Sequence, residues 1–352
     1  MQSQRHHYAL LPLSFAVLAG TRENTCLAQL PPAPPGIQTS TQFGIEFSTI
    51  DRPNNGGFDA PTLFSSYNGR GSIGHTYRMA RTELTVAQWV PFINAFRPFN
   101  PGDPQATGII ASQFVQYTAT GSNLGTYTFD AGGASAAVGP RYGFALAYCN
   151  WLHNREVTGD GPVNALSFLT GAYDLRTIDL NGQGFSVPNI PTSPDARFRL
   201  PSVDEWNKAM HYDPNRFGEN QPGWWAYPYR SNTVGLHALP SDGGVTNAGE
   251  GPRLPGGNPV ASYINSMSGY ALFDGSGGLR EMAAPSEFGA YVTNGSGINQ
   301  VGPEYTDVAG QSQSFGAWIS QDGFRIYAAI PAPLSIFPLT CLAWMALSRR
   351  NR

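Results

Sequence analysis

Charge is what this 352-residue chain has least of: Asp, Glu, Lys and Arg together make up 13% of it, against about 25% in an ordinary soluble domain. Lysine is all but missing, because Lys208 is the single one. It follows Asn207 rather than a glycine-rich run, which excludes a phosphate-cradling Gly-Lys loop. The formal net charge is −3, and no basic stripe exists with which to neutralise a nucleic-acid backbone. Nucleic acid is not an expected partner. Cysteine is scarce as well, with Cys26, Cys149 and Cys341 only. What the chain does have is 41 glycines, 29 prolines and 12% aromatics within 41% hydrophobic residues. A disordered chain would combine few aromatics with high net charge, so this one folds, with many turns. Its length accommodates one large domain or two of roughly 150 residues.

The two ends read as addresses. Residues 1–28 run from a weakly basic start (Arg5, His6, His7) through an apolar stretch from Tyr8 to Ala19, to Cys26-Leu27-Ala28 before Gln29. A short apolar run broken by Pro12 and closed by small residues is the layout of a cleaved secretory signal. At the other end, residues 329–352 contain Pro331-Ala332-Pro333, the apolar stretch Leu334 to Leu347, and Arg349, Arg350 and Arg352. This layout resembles the PEP-CTERM sorting signal of Gram-negative bacteria: a Pro-x-Pro signature, one hydrophobic transmembrane helix and a basic tail, with Ala332 where that signal usually has Glu. Terminal arginines stay on the cytoplasmic side. The body is then expected to be exported, to the periplasm, to the outer surface or anchored at the membrane by its C-terminal segment. Cys26 and Cys341 fall in the two addresses, which leaves Cys149 as the one thiol of the body and allows no internal disulfide.

Between the addresses, residues 29–42 begin with a proline-rich linker, expected to be extended, and residues 43–328 read as one domain without an internal repeat. Three helices stand out. Thr85-Val86-Ala87-Gln88 has the form of a capping box, and Val86, Trp89, Val90 and Ile93 follow at helical spacing. Pro91 is expected to kink that helix. A second helix is predicted over residues 142–153, burying Phe144, Tyr148, Trp151 and Leu152 with Cys149 beside them. A lone cysteine on such a face is a small core residue. The third begins at Ser202-Val203-Asp204-Glu205, a second capping box with acidic residues in its first turn.

Several blocks stand in one order: Tyr77-Arg78-Met79-Ala80-Arg81-Thr82-Glu83-Leu84-Thr85-Val86-Ala87-Gln88, then Ala147-Tyr148-Cys149-Asn150-Trp151-Leu152, then Phe198-Arg199-Leu200-Pro201-Ser202-Val203-Asp204-Glu205-Trp206, then Leu272-Phe273-Asp274 to Glu281, and Gly323-Phe324-Arg325-Ile326. This series resembles the formylglycine-generating enzyme, or sulfatase-modifying factor, family. The resemblance implies an irregular, loop-rich α+β fold related to C-type lectin domains. It also implies an oxidase that converts a sulfatase cysteine to formylglycine on a copper ion held by two thiolates. Those thiolates would fall shortly before the Gly-Phe-Arg block, and residues 301–322 contain no cysteine. Soft thiolates are what select Cu(I), so copper and formylglycine formation are not expected here. The resemblance further implies a calcium loop at Leu272 to Met282, with Asp274, Gly277, Leu279 and Glu281 at the ligand positions, and a second calcium position near Asn247-Ala248. Calcium takes 6–8 oxygen ligands in loose geometry, which suits a glycine-rich loop with carboxylates at both ends. Within it, Gly278 replaces Asn, and Arg280 and Met282 replace the family's tryptophans.

Other chemistries find no support. His75, His153, His211 and His237 show no ligand spacing for zinc, and no Gly-x-Ser-x-Gly nucleophile elbow is present. Glu205 and His211 would make an acid–base pair only if Glu205 were free of its capping role. The aromatic run Trp224-Trp225-Ala226-Tyr227-Pro228-Tyr229 reads first as core packing and second as a sugar-stacking platform. The expectation is therefore an exported, envelope-associated, calcium-stabilised binding or structural module without catalysis, whose partner is a surface polysaccharide or an exported protein. The alternative is a formylglycine-generating oxidoreductase or another metal-dependent oxidase of the same family.

Overall fold

The computed structural model describes residues 29–59, 67–99, 115–118, 125–159, 163–180, 190–249, 259–287, 290–298, 302–315 and 322–330. The segments expected to be a secretory signal and a sorting signal, apart from Ala329 and Ile330, lie outside the described residues. Among the described residues no helix is long and apolar enough to cross a membrane. The strands in chain order are β1 (Thr39–Gln42), β2 (Ile45–Ile50), β3 (Tyr77–Ala80), β4 (Val115–Thr118), β5 (Thr126–Phe129), β6 (Phe198–Arg199), β7 (Tyr212–Asp213), β8 (Gly223–Trp224), β9 (Arg280–Glu287), β10 (Ala290–Asn294), β11 (Gln313–Phe315), β12 (Asp322–Gly323) and β13 (Tyr327–Ala329). The α-helices are α1 (Val86–Phe96), α2 (Tyr142–Thr158), α3 (Leu166–Leu169), α4 (Val203–His211) and α5 (Pro303–Thr306). Short strands, few helices and long irregular connections make this a loop-rich α+β protein, as its glycine and proline content predicts.

A five-stranded sheet in the order β1-β2-β3-β13-β6 divides the core. Because side chains alternate across a strand, β3 sends Tyr77 and Met79 to one face and Ala80 to the other, while β13 splits Tyr327 from Ala328 in the same way. On the Ala80 face lie α1 and α2 with Phe47, Phe198 and Phe324. On the Tyr77 face lie Trp206 and Met210 of α4 with Tyr270 and Leu272. A second sheet, β11-β10-β9-β12, stands beside the first.

The helices show how local signals met tertiary ones. Both capping boxes form, Thr85 with Gln88 and Ser202 with Glu205. Helix α1 runs on through Pro91, which sits exposed on its outer side. A proline inside a helix removes one donor to the carbonyl four residues back, and on an exposed side that carbonyl is open to solvent. Helix α2 extends to Thr158, five residues past the predicted end, and it is buried almost all round from Tyr142 to His153. Such a helix carries no clean amphipathic signal in sequence. Trp89 stacks on Tyr148 at 5.6 Å and Phe92 meets Tyr148 edge-on at 5.3 Å, so α1 and α2 meet through rings. Each such side chain contributes about 1.5–3 kcal/mol by burial. Segment 29–42 differs from a free linker. It ends in β1, paired antiparallel with β2, and the Pro31 carbonyl accepts from the Arg81 guanidinium at 2.8 Å.

Cys149 lies fully buried in α2, and burial pushes its thiol up and away from reactivity. Its neighbour Asn150 has a sharper role. The Asn150 side chain donates to the Phe168 and Tyr173 carbonyls at 2.9 and 3.0 Å and accepts from the Tyr173 amide at 2.8 Å. This one amide fastens α2 to the irregular stretch after α3. Replacing it leaves buried backbone groups without partners, each costing about 1–3 kcal/mol. Asn150→Ala is therefore expected to lower the unfolding free energy by at least about 2 kcal/mol, measured by urea denaturation.

Candidate functional site: a carboxylate-rich hollow behind a glycine loop

Four of the five sequence blocks meet at one buried ion pair. Arg325 and Glu281 are both withdrawn from solvent. The guanidinium holds both carboxylate oxygens, through Nε to Oε2 and through a terminal nitrogen to Oε1. Trp206 Nε1 adds a third bond to Oε2 at 2.8 Å. The remaining donors of Arg325 reach the Ala80 carbonyl at 3.1 Å and the Phe273 carbonyl at 2.8 Å. Residues from the first, third, fourth and fifth blocks are thus pinned to one another. Arg81, also buried, repeats the device nearby. It donates to the Ala271 carbonyl at 2.9 Å and pairs with Glu46, and its own carbonyl accepts from the Phe273 amide at 2.8 Å.

The two arginines present the loop from Asp274 to Leu279. Asp274, Gly277 and Gly278 all lie in the left-handed region, at φ of 61°, 82° and 63°. Glycine is required at 277 for space as well. A Cβ there would stand 2.3 Å from Asn247 Oδ1, which no side chain tolerates. The loop turns its amides inward: Gly278 donates to Asn247 Oδ1 at 2.9 Å, and Leu279 donates to Glu83 Oε1 at 3.0 Å. Behind it is a hollow lined by Glu83, Asn247, Pro259, Ser262, Tyr263, Asp274, Ser276 and Gly278, with room for about one water-sized sphere. A second hollow of the same size lies next to it and shares Tyr263, Asp274 and Ser276.

The electrostatics of this hollow are lopsided. Glu83 is buried, and desolvation followed by repulsion from Asp274 and Glu281 pushes its carboxyl well above the usual range. Burial likewise raises Asp274 to about 6, although its Oδ2 accepts from the Ala261 amide at 2.7 Å. Arg325 acts favourably on both, yet the carboxylate it hydrogen-bonds is Glu281. One guanidinium therefore serves three carboxylates.

Of the four residues predicted as metal ligands, Asp274 faces the hollow. Gly277 and Leu279 build the loop that closes it, and Glu281 spends both oxygens on Arg325 and Trp206. Asn247, which the resemblance assigns to a second position, lies against this same loop. The residue that sequence reading left without a role is Glu83. Its signal was there, an acid set between the core positions Ala80 and Leu84. Among the described residues no three His, Cys, Asp or Glu side chains stand together at metal-ligand spacing. The donors on offer are the two carboxylates, with the Asn247 amide oxygen and loop carbonyls to complete a set. Elsewhere, Glu205 is committed to its cap, to Arg199 and to His75, while His211 is buried and pushed down to about 3. They form no acid–base pair. In the aromatic run, Trp224 packs on Phe58 and Tyr212, and Tyr227 stacks on Tyr229.

No family model matches the sequence, and no curated protein matches it. Among solved structures the chain is similar to CarF, at 18% identity over 81% of this chain and 98% of that one, with a TM-score of 0.46. It is similar to Treponema denticola variable protein 1 at 16% identity, over 84% of this chain and 100% of that one, with a TM-score of 0.45. It is also similar to PvdO from Pseudomonas aeruginosa at 14% identity, over 84% and 98% respectively, with a TM-score of 0.40.

Removing one partner of a fully buried ion pair strands the other charge, at about 3–5 kcal/mol. Arg325→Met is expected to lose that much stability in chemical denaturation. The double variant Arg325→Met/Glu281→Leu is expected to recover a large part of it.

Proposed function

We propose that this chain is an exported, calcium-stabilised binding or structural module of the formylglycine-generating-enzyme-like type, without oxidase activity. The observation that carries the reading is the pair Glu83 and Asp274. Two buried carboxylates share a hollow the size of one ion, and the guanidinium that acts on both, Arg325, is already paired with Glu281. A divalent cation would balance that charge, and hard oxygen donors of this kind suit calcium rather than a soft metal. When bound, calcium supplies charge compensation and a fixed loop, not redox chemistry. In this reading Asp274 and Glu83 bind the ion directly and Asn247 lends its amide oxygen. Gly277 and Leu279 contribute through the backbone of the loop, and Glu281 acts through Arg325 to hold that loop in place.

The absence of oxidase activity rests on the sequence between residues 301 and 322, which has no thiol, and on Cys149, whose sulfur is enclosed by α2 and cannot reach a substrate. Export rests on the two terminal segments, and with it a partner met outside the cytoplasm, a surface polysaccharide or another exported protein.

Titrating calcium into the full-length, chelator-treated protein tests the core of the proposal. The melting temperature is expected to rise with calcium and to stay unmoved by copper, and neither Glu83→Gln nor Asp274→Asn should retain the calcium response. A melting temperature indifferent to calcium would refute the metal reading. Incubation with copper, oxygen and a cysteine-containing sulfatase peptide is expected to yield no formylglycine. Its formation would favour the oxidoreductase alternative. Amino-terminal sequencing of the protein recovered from an exporting host should find a chain that begins near Gln29.

A further inference from the structure

Trp225 is the member of the aromatic run that core packing does not absorb. It stands half-buried after the β7–β8 hairpin, where its backbone amide donates to the His211 carbonyl at 2.8 Å. Its indole Nε1 donates to Asp213 Oδ2 at 3.0 Å, and Asp213 Oδ1 accepts from the Asn215 amide at 2.8 Å. Both oxygens of that carboxylate are thus spent on orienting the ring and starting the hairpin loop. The loop closes on itself through the Phe217 amide to the Gln221 carbonyl at 3.0 Å and the Asn220 amide to Asn215 Oδ1 at 2.9 Å. Arg52 fastens it from outside by donating to Asn220 Oδ1. A Cβ at Gly223 would stand 2.6 Å from the Phe217 ring and 2.8 Å from Arg216 Cδ, so glycine there lets both side chains lie across the hairpin backbone.

On this frame the Arg216 guanidinium stands 4.3 Å from the centre of the Trp225 ring and 4.8 Å from that of Phe217. Its Nε is enclosed without a hydrogen-bond partner, and no carboxylate among the described residues forms an ion pair with it. Burial pulls the group below the usual arginine range, and the attraction of Asp213 opposes this from a distance. Phe217 itself is 64% exposed, so its ring is held in water by the loop and not by the core. A guanidinium stacked on rings but unpaired keeps its fork of donors for an anion. The exposed ring beside it offers an apolar face.

We infer that this hairpin binds an acidic polysaccharide: the Arg216 guanidinium takes the carboxylate of a uronate unit, and the Phe217 ring covers the C–H face of the same sugar. Trp225 is a positioning residue, held by Asp213 and holding Arg216 in turn. A nucleic acid or a polyacidic peptide would need a run of cations. This loop offers one stacked guanidinium beside one exposed ring, and it carries an acid of its own, Glu219. One carboxylate on one apolar ring face matches that pair, and a polymer repeats the match along its length. The loop is fixed before any ligand arrives, which lowers the entropy cost of binding. The inference deepens the reading of the chain as a binding module and rests on it for the polysaccharide partner, but none of these residues belongs to the calcium hollow.

Affinity electrophoresis of the full-length protein in gels containing hyaluronan, a glucuronate polymer, tests this. Wild type is expected to be retarded, less so as salt is raised, and not to be retarded by methyl-esterified hyaluronan, whose carboxylates are capped. Arg216→Gln is expected to weaken binding by about tenfold or more. Phe217→Ala, which removes a ring that the core does not use, is expected to weaken it by about threefold to tenfold. Arg176→Gln removes an exposed charge paired with Asp174 in another part of the chain, and should bind as wild type does. No retardation of wild type, equal retardation of wild type and Arg216→Gln, or retardation by the ester would overturn the inference. Equal binding of polyglutamate would overturn it too, in favour of an acidic peptide. The calcium dependence of melting is read alongside in Arg216→Gln and is expected to match wild type, so that failure of this site and failure of the calcium reading are told apart.

Discussion

The bond between Arg325 and Glu281 is what the rest of this molecule is arranged around. A guanidinium has five donors in a fixed plane, and here they are spent on one carboxylate and two backbone carbonyls from two distant stretches of chain, while Trp206 closes the remaining side. In a protein with short strands and few helices, little regular hydrogen bonding is available to hold the loops in register. A buried arginine supplies that order by acting as a junction. Arg81 does the same for the chain around Ala271 and Pro31. The scarcity of charge elsewhere fits this economy: several of the charges the chain does carry are structural and enclosed.

That junction has a consequence for the glycine loop. Once Glu281 is neutralised by Arg325, the loop in front of it is fixed from behind, and its inward amides have settled on Asn247 and Glu83. The acids left over, Glu83 and Asp274, are then held close in a space they did not choose by their own affinity. Their raised protonation is the energetic record of being placed there by other interactions. Buried groups carrying strain of this kind are where function is to be sought first.

Much of the fold was legible in residue order. The capping boxes at Thr85 and Ser202 act within one turn of helix, so four consecutive residues contain the whole argument, and both formed. The loop-rich α+β character followed from glycine and proline content. The end of α2 was not legible, because a helix packed on all sides shows no polar stripe to mark where it stops. Pro91 interrupts the helical pattern in sequence, yet α1 continues through it, with the proline on the solvent side. In the site, Asp274 and Gly277 were reached through the family resemblance of the block from Leu272 to Met282, and their left-handed backbone is what the structure adds. Glu83 carried only the general signal of an acid between core positions; what it faces could not be read, because the loop it binds lies almost two hundred residues later in the chain.

By itself, then, the sequence determined the local devices and the broad class: two helix caps, a turn-rich domain, a glycine-rich loop, and a body with a single thiol and no thiolate pair for copper. Tertiary structure alone decided which acids are neutralised and which are left facing one another. Glu281, Glu83 and Asp274 are all acidic residues in well-marked blocks, and nothing in their order tells them apart. The difference is made by Arg325. A charge in the interior is governed by what stands within a few ångströms of it rather than by its neighbours along the chain.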